Sequence, residues 1–504
     1  MYIEPGTNIK LLKNVPLDNT YTDTFSFGNS SEQTNFFNTF IKHNLTKQTY
    51  QRVQKGVSRV GLSSDKCYDC NYMMFQNANY GSKWFYAFIT KVEYVNDVTC
   101  EISFEIDVMQ TWYFDYTIKP SFVEREHILD DTIGNNIVDE KIETGEFVEI
   151  GLLYNAFTEM ELCIVIVTTF DNEGESVSGS MYSDIYSGLL YRSFNSEVEA
   201  NDFLSQVNAN GWSDGIVSIF MMPKQFFGKI NVPETLTIEK NYTSLTNGYI
   251  PKNNKLFIYP YNFINVVNGD GGDADYRYEL FSKNVDYCKF YYYGDCSPNP
   301  SVLFYPASYA NSPLNYEHGL LMSNFPQCAY NTDLFKAWLA QNSSSIGVTA
   351  FSSIMSSIGG AISVSYGNPA GVGMVASGLS GITNLITEGH KKSVLPPQSQ
   401  GNANSSGINV ALGRKNFYIR KMSLQEEHLR IIDDYFSMFG YSTKEVKVPN
   451  ITGRPSWNYV KTIDIKIVGS VPADDMTKIK DNYNKGITFW HGNWVGDYGR
   501  NNNL

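Results

Sequence analysis

The opening residues, MYIEPGTNIK, lack an apolar run and place proline at position 5, so no secretory signal is expected and synthesis inside a cell follows. Cysteine is sparse. Seven residues, 67, 70, 100, 163, 288, 296 and 328, are spread over a chain of 504, an odd number and too thin for a disulfide scaffold. They are expected to be reduced thiols acting as small buried hydrophobes. Cys67 and Cys70 form one C-x-x-C pair, but no second pair follows at finger spacing and no histidine is close in sequence, which argues against zinc. The six histidines, 43, 127, 318, 390, 428 and 491, show no H-E-x-x-H ligand spacing. Neither a P-loop, nor G-x-S-x-G, nor a dinucleotide fingerprint occurs; Gly371-x-Gly373 has no strand before it. No catalytic residues and no cofactor are therefore expected. His127, beside Glu124 and Glu126, is expected on a solvated face.

Basic charge is in deficit: 39 Lys and Arg against 52 Asp and Glu give a net charge of −13, with both signs mixed along the chain. A protein that grips nucleic acid needs a clustered Lys/Arg footprint, and none is visible. Double-stranded DNA is expected, if it meets this chain, as passing cargo without specific binding.

Charge vanishes altogether from Ala337 to Thr387. Apolar positions there are Ile346, Val348, Phe351, Ile354, Met355, Ile358, Ile362 and Val364. After Gly367-Asn368-Pro369 come Val372, Met374, Val375, Leu379, Ile382, Leu385 and Ile386. Each half approaches the length of a bilayer-spanning helix. Small residues recur four apart, Ser352-Ser356-Gly360 and Gly373-Ser377-Gly381, the spacing that lets helices approach closely. Two readings stay open: an apolar hairpin or loop packed inside an oligomer, or a segment sheltered from water and later inserted into a bilayer. Permanent membrane residence is disfavoured, because Gly and Ser contribute little transfer energy and no aromatic belt flanks both ends.

Aromatics are abundant, with 35 Tyr and 31 Phe, and short Val/Ile/Thr-rich runs alternate with polar turns, which favours strands. Residues 84 to 114 read as a long antiparallel hairpin turning at Val95-Asn96-Asp97. One face carries Phe85, Ala87, Ile89 and Lys91; the other carries Trp84, Tyr86, Phe88, Thr90 and Val92. Two apolar faces imply packing on both sides, or packing of one side against a neighbour. Ser31-Glu32-Gln33-Thr34 predicts a short capped helix with Phe36, Phe37 and Phe40 on one flank. Near the other end the pattern predicts strand Asn416–Met422, helix Ser423–Phe439 stopped by Gly440, strands YSTKEVKV and NYVKTIDIKIVG, helix Asp474–Tyr483 and strand ITFWH. Leu429, Ile432, Tyr435, Phe436 and Phe439 should face inward. The turn at Asn268–Asp275 offers Asp270, Asp273 and Asp275 as weak metal candidates, but it lacks the closing Glu of an EF-hand and is expected to be a plain turn.

Four stretches carry a family resemblance: Met74–Phe88 (MFQNANYGSKWFYAF), Phe104–Trp112 (FEIDVMQTW), Val123–His127 (VEREH) and Gly486–Tyr498 (GITFWHGNWVGDY). They resemble the distal tail-knob proteins of phi29-like short-tailed phages of Gram-positive hosts. Pro396-Pro397 sits where that family leaves its apolar segment. The resemblance implies a mainly β, multidomain chain with some α+β, whose tail-tube-like β-barrel or sandwich wall domains form a hexameric cylinder, plus a long apolar loop. It divides the chain into an N-terminal wall domain (1–125), a middle β-rich part (126–336), the apolar plug or membrane loop (337–400) and a C-terminal α+β wall domain (401–504). The implied role is a virion tail tip assembled in the host cytoplasm, through which the genome leaves. The implied partners are five further copies, collar and lower-tube proteins, and the host envelope and membrane. An adhesin that stacks tyrosines on cell-wall sugars is the alternative.

Overall fold

The computed structural model describes residues 6–48, 56–77, 81–153, 162–174, 180–182, 185–187, 189–212, 215–227, 234–245, 247–294, 296, 300–323, 325, 327–328 and 416–504. The described residues fall into two compact units, one drawn from 1–145, 251–256 and 426–504, the other from 146–250 and 257–425. The mainly β, multidomain architecture expected from the sequence is what the chain adopts.

The first unit begins with strand β1 (Thr7–Lys13), β2 (Asp23–Phe25), helix α1 (Ser30–Asn38), β3 (Ile41–Gln48), β4 (Val57–Val60), α2 (Ser64–Cys67) and β5 (Cys70–Asn77). Next come β6 (Phe85–Asn96), β7 (Thr99–Ile106), the one-turn α3 (Val108–Thr111), β8 (Tyr116–Ile118) and β9 (Ser121–Glu126). Six strands form a sheet in the order β3-β1-β5-β6-β7-β4. Alternation in β1 and β5 sends Leu12, Tyr72 and Met74 to one core and Ile9, Leu11, Met73 and Phe75 to another, so both faces are packed. The hairpin β6–β7 divides likewise: Trp84, Tyr86 and Phe88 join the first core, and Phe85, Ala87 and Ile89 the second. Val92 departs from simple alternation. The register slips between Ile89 and Lys91, and this bulge turns Val92 to the Ile89 face and leaves Lys91 exposed.

The last residues supply α4 (Glu426–Phe439), β10 (Tyr441–Lys447), β11 (Trp457–Ile463), β12 (Ile467–Gly469), α5 (Ala473–Lys485) and β13 (Ile487–Trp490). A five-stranded sheet runs β2-β13-β11-β9-β10, with β2 parallel to β13, so both ends of the chain share one set of hydrogen bonds. This unit cuts across the sequence segments 1–125 and 401–504. Three local expectations need correction. Ser423 does not start a helix: strand Tyr418–Leu424 pairs on both sides through Ser423, whose Oγ donates to Tyr261 O at 3.0 Å, so α4 begins at Glu426. NYVKTIDIKIVG is not one strand, because Asp464 takes a left-handed backbone (φ 53°) and separates β11 from β12. The cap of α1 is Asn29, whose side chain accepts from Glu32 N, while Glu32 Oε2 returns to Gly28 N at 2.9 Å. Gly440 stops α4 as expected. It has φ +66°, and a Cβ there would lie 2.2 Å from Glu126 O. Along α4, Leu429, Ile432 and Phe436 are buried, and Tyr435 and Phe439 are half-buried.

In the second unit, Leu162–Thr168 (LCIVIVT) is buried at every residue, an unbroken apolar run covered on both faces. It lies between Leu190–Phe194 and Ile216–Pro223, and helix Glu197–Ala209 buries Ala200, Leu204 and Val207 in the same core. A five-stranded sheet is built on Tyr287–Gly294 and Val302–Tyr309, where Phe290 and Phe304 stack at 4.8 Å. A four-stranded sheet joins Phe147–Leu153, Tyr418–Leu424, Asn262–Val267 and Asp273–Tyr276.

Candidate functional site

The stretches that carry the family resemblance converge in the first unit as its internal fasteners. Asp107 follows β7 and is 1% exposed. Its Oδ1 accepts from Met109 N (3.0 Å) and Gln110 N (3.1 Å), starting α3, and its Oδ2 accepts from Tyr72 OH (2.8 Å). Burial pushes this carboxyl up to about 6 despite those bonds. Gln110 Nε2 donates to Thr24 Oγ1 and Phe25 O, and Gln33 Nε2 donates to Gln110 O. Thr111 Oγ1 donates to Tyr86 O, and Trp112 Nε1 to Asp475 Oδ2. FEIDVMQTW thus ties β6, β2, α1 and α5 together. GITFWHGNWVGDY supplies Trp490, which lies 5.2 Å from Trp457 and 5.2 Å from Tyr498 and donates from Nε1 to Asp23 Oδ1.

VEREH is not the solvated face expected for it. Glu126 and His127 are 2% and 4% exposed, because β9 lies inside the five-stranded sheet. Glu126 accepts from Lys447 Nζ and Asn450 N, each at 2.7 Å. His127 Nδ1 accepts from Tyr459 N at 2.9 Å, so the ring proton sits on Nε2 and is donated to Ser437 O at 3.0 Å. Burial pushes this imidazole down to about 3. Between that value and the unfolded value near 6.5, the unfolded chain takes a proton that the folded chain refuses, so His127 makes stability rise with pH across that window. Asp107 acts oppositely: its raised value means stability is lost as pH rises from 3.8 through about 6. The two largely offset in the wild type, so a variant isolates each. His127→Gln keeps one donor and one acceptor but cannot titrate. Its stability relative to wild type should gain about 2 kcal/mol on going from pH 7 to pH 4.5 in urea unfolding. Parallel profiles for the two proteins would show that His127 does not titrate in this way.

A buried ion cluster pins residues 251–256 to the same unit. Glu140, whose side chain is fully buried, accepts from Lys255 Nζ (2.9 Å), from Arg125 Nη2 and from Ser442 N (2.8 Å). Lys255 Nζ also donates to Val138 O at 2.6 Å, and Arg125 Nη1 to Gly440 O at 2.6 Å. Burial lowers the Lys255 ammonium, and Glu140 counteracts that. Beside it, the buried carboxylate of Asp433 accepts from Lys252 N (2.8 Å), Asn253 N (3.1 Å) and Asn253 Nδ2 (2.8 Å).

Residues 224–503, more than half of the chain, match the family model for the C-terminal domain of the Bacillus phage phi29 tail knob protein gp9. The chain belongs to that tail knob family. Residues 5–117 of this tail knob protein match the model for the N-terminus of caudoviral major tail proteins. The tail knob proteins gp9 of Bacillus phages phi29 and PZA are each 26% identical to it, with 99% of both chains covered. The solved tail knob protein gp12 of bacteriophage C1 shares its fold, with a TM-score of 0.63 and 17% identity over 96% of each chain. It is a structural tail component of the virion.

The apolar positions singled out between Ile346 and Ile386 lie outside the described residues of the tail knob protein. Among the described residues, no helix is long and apolar enough to cross a membrane, and no cluster of three or more His, Cys, Asp or Glu could hold a metal. Asp270, Asp273 and Asp275 do not converge. Asn268 Oδ1 caps the turn by accepting from Asp270 N and Gly272 N, Asp270 Oδ2 accepts from Ser323 N, and Asp275 Oδ1 from Asn265 Nδ2. Cys67 and Cys70 are buried free thiols, pushed up to about 12 and about 11 by burial.

Proposed function

We propose that six copies of this tail knob protein form a hollow tube at the tail tip, plugged by their charge-free segments until infection, through which the genome leaves the virion. The segments then enter the host membrane. The carrying observation is the coexistence, in one chain, of a tail-protein N-terminus over residues 5–117 and a stretch from Ala337 to Thr387 with no charged residue. A segment without charge crosses from protein to lipid without the cost of desolvating an ion. Strands β3 and β4 end the six-stranded sheet among the described residues, and end strands suit pairing with a neighbour. A net charge of −13 repels passing phosphates and keeps DNA mobile. In this reading the role is structural rather than catalytic, and the partners are further copies, collar and lower-tube proteins and the host envelope. Light scattering at neutral pH should give about six times the 57.0 kDa of the chain; a strict monomer at high concentration would count against it.

One exposed ring favours the alternative reading, an adhesin. Tyr316, 56% exposed, packs 4.7 Å from Tyr305, which is itself only 4% exposed and lies 5.7 Å from the half-buried Tyr291, so the face offered to a ligand is that of Tyr316. Aromatic faces of this kind stack on sugars.

A further inference from the structure

The first unit contains a cleft of about 270 Å³ that none of the fasteners described above fills. Its walls come from five separate segments: His127, Lys252-Asn253, Ser437, Arg454 with Trp457, and Tyr498–Asn503. The last segment is held in place by Asn502, whose Oδ1 accepts from Ser456 N and Trp457 N and whose Nδ2 donates to Trp457 O. Two donors on these walls have nothing to donate to among the described residues. Arg454 is 7% exposed and Trp457 is fully buried, yet Arg454 Nε and Trp457 Nε1 are both buried without an acceptor. Both atoms are closed to solvent, so a ligand in the cleft meets these walls through other atoms.

Among the described residues, the charged side chains that line the cleft, Arg454, Lys252 and Arg500, are all basic, and their carboxylate neighbours stand outside its lining. Asp131, whose charge reaches Arg454, is occupied elsewhere by Tyr441 OH (2.7 Å) and Asn254 N (3.1 Å). Lys252 pairs with Asp434 at 2.8 Å and Arg500 with Asp497 at 3.8 Å, both exposed pairs that exchange readily with solvent, and the Arg500 guanidinium also lies 4.3 Å from the centre of the Trp494 ring. His127 also lines the cleft and is neutral, its Nε2 proton already given to Ser437 O. The volume exceeds what one water needs.

We propose that this cleft binds a phosphate group, free or within a phosphodiester. A tetrahedral oxyanion offers acceptors in several directions, which suits cationic donors brought from three segments better than a planar carboxylate does. Guanidinium groups are the preferred partners of phosphate oxygens. This inference is independent of the tube and its plug, since every residue it uses lies in the first unit and none in the charge-free segment.

The test uses the full-length protein in chloride buffer at pH 7 and constant ionic strength, titrated calorimetrically with inorganic phosphate and, separately, with dimethyl phosphate. Saturable binding of inorganic phosphate is expected, weakened roughly tenfold or more by Arg454→Met and a few-fold by Arg500→Gln. Binding of dimethyl phosphate as well would identify a phosphodiester as an acceptable source; binding of inorganic phosphate alone would identify the free ion. Absence of saturable binding of both ions overturns the proposal, and so does wild-type affinity in the variants. Should Arg454→Met fail to fold, the exposed Arg500→Gln and Lys252→Gln variants decide the matter by the same criterion.

Discussion

Deleting Ala337–Thr387 from the full-length protein should abolish leakage from anionic liposomes while leaving the number of copies in the assembly unchanged. The deletion removes the charge-free run and every apolar position singled out within it. It touches no residue of the six-stranded or the five-stranded sheet of the first unit, whose strands all lie within 7–126 and 441–490. The effect should approach all or none, because the remaining surface offers no comparable segment: among the described residues no helix has the length and apolarity to cross a bilayer. Leakage that persists after the deletion would remove the segment from the account of membrane entry. Binding of the deleted protein to purified host walls would independently support the exposed Tyr316 face as an adhesive surface.

Replacing Glu140 with Ala should destabilise the first unit by about 3–5 kcal/mol, the cost of leaving buried charge uncompensated. Its carboxylate is fully buried and is shared by Lys255, itself 2% exposed at the side chain, and by Arg125 at 12%. With the carboxylate gone, the Lys255 ammonium, the Arg125 guanidinium and Ser442 N all lose an acceptor, and water has little access to replace it. The exposed pair Arg420–Glu149, 3.6 Å apart with both side chains about two-fifths exposed, is the control. Glu149→Ala should cost less than about 1 kcal/mol. Urea unfolding of both variants, together with hydrogen exchange of β9 and β10, measures the contrast. Equal small losses would mean that the buried cluster is solvated.

What the sequence made legible was local periodicity. The alternation in 84–114 located β6 and β7 and their two apolar faces, and the 3.6-residue pattern with Gly440 located α4 and its stop. The bulge that moves Val92 across the sheet leaves no mark in composition, because it is set by pairing with β7 rather than by the strand itself. Ser423 reads as a helix cap in isolation and becomes a strand residue because two neighbours bond to it. The cap at Asp107 rests on contacts with Tyr72 and, through Gln110, with Thr24 that FEIDVMQTW alone does not show. Likewise Glu140 meets Lys255 across 115 residues and the cleft gathers residues 252, 454 and 500, distances over which one sequence carries no pairing information. The motifs that identify the family were legible for a physical reason: they hold buried hydrogen bonds and aromatic contacts that few other residues could supply.

Electron micrographs of the purified full-length protein, averaged in end view, address the central claim most directly. The account predicts rings with six-fold symmetry and an open or plugged centre. Uniform single particles the size of one chain, with no ring at any concentration, would contradict it.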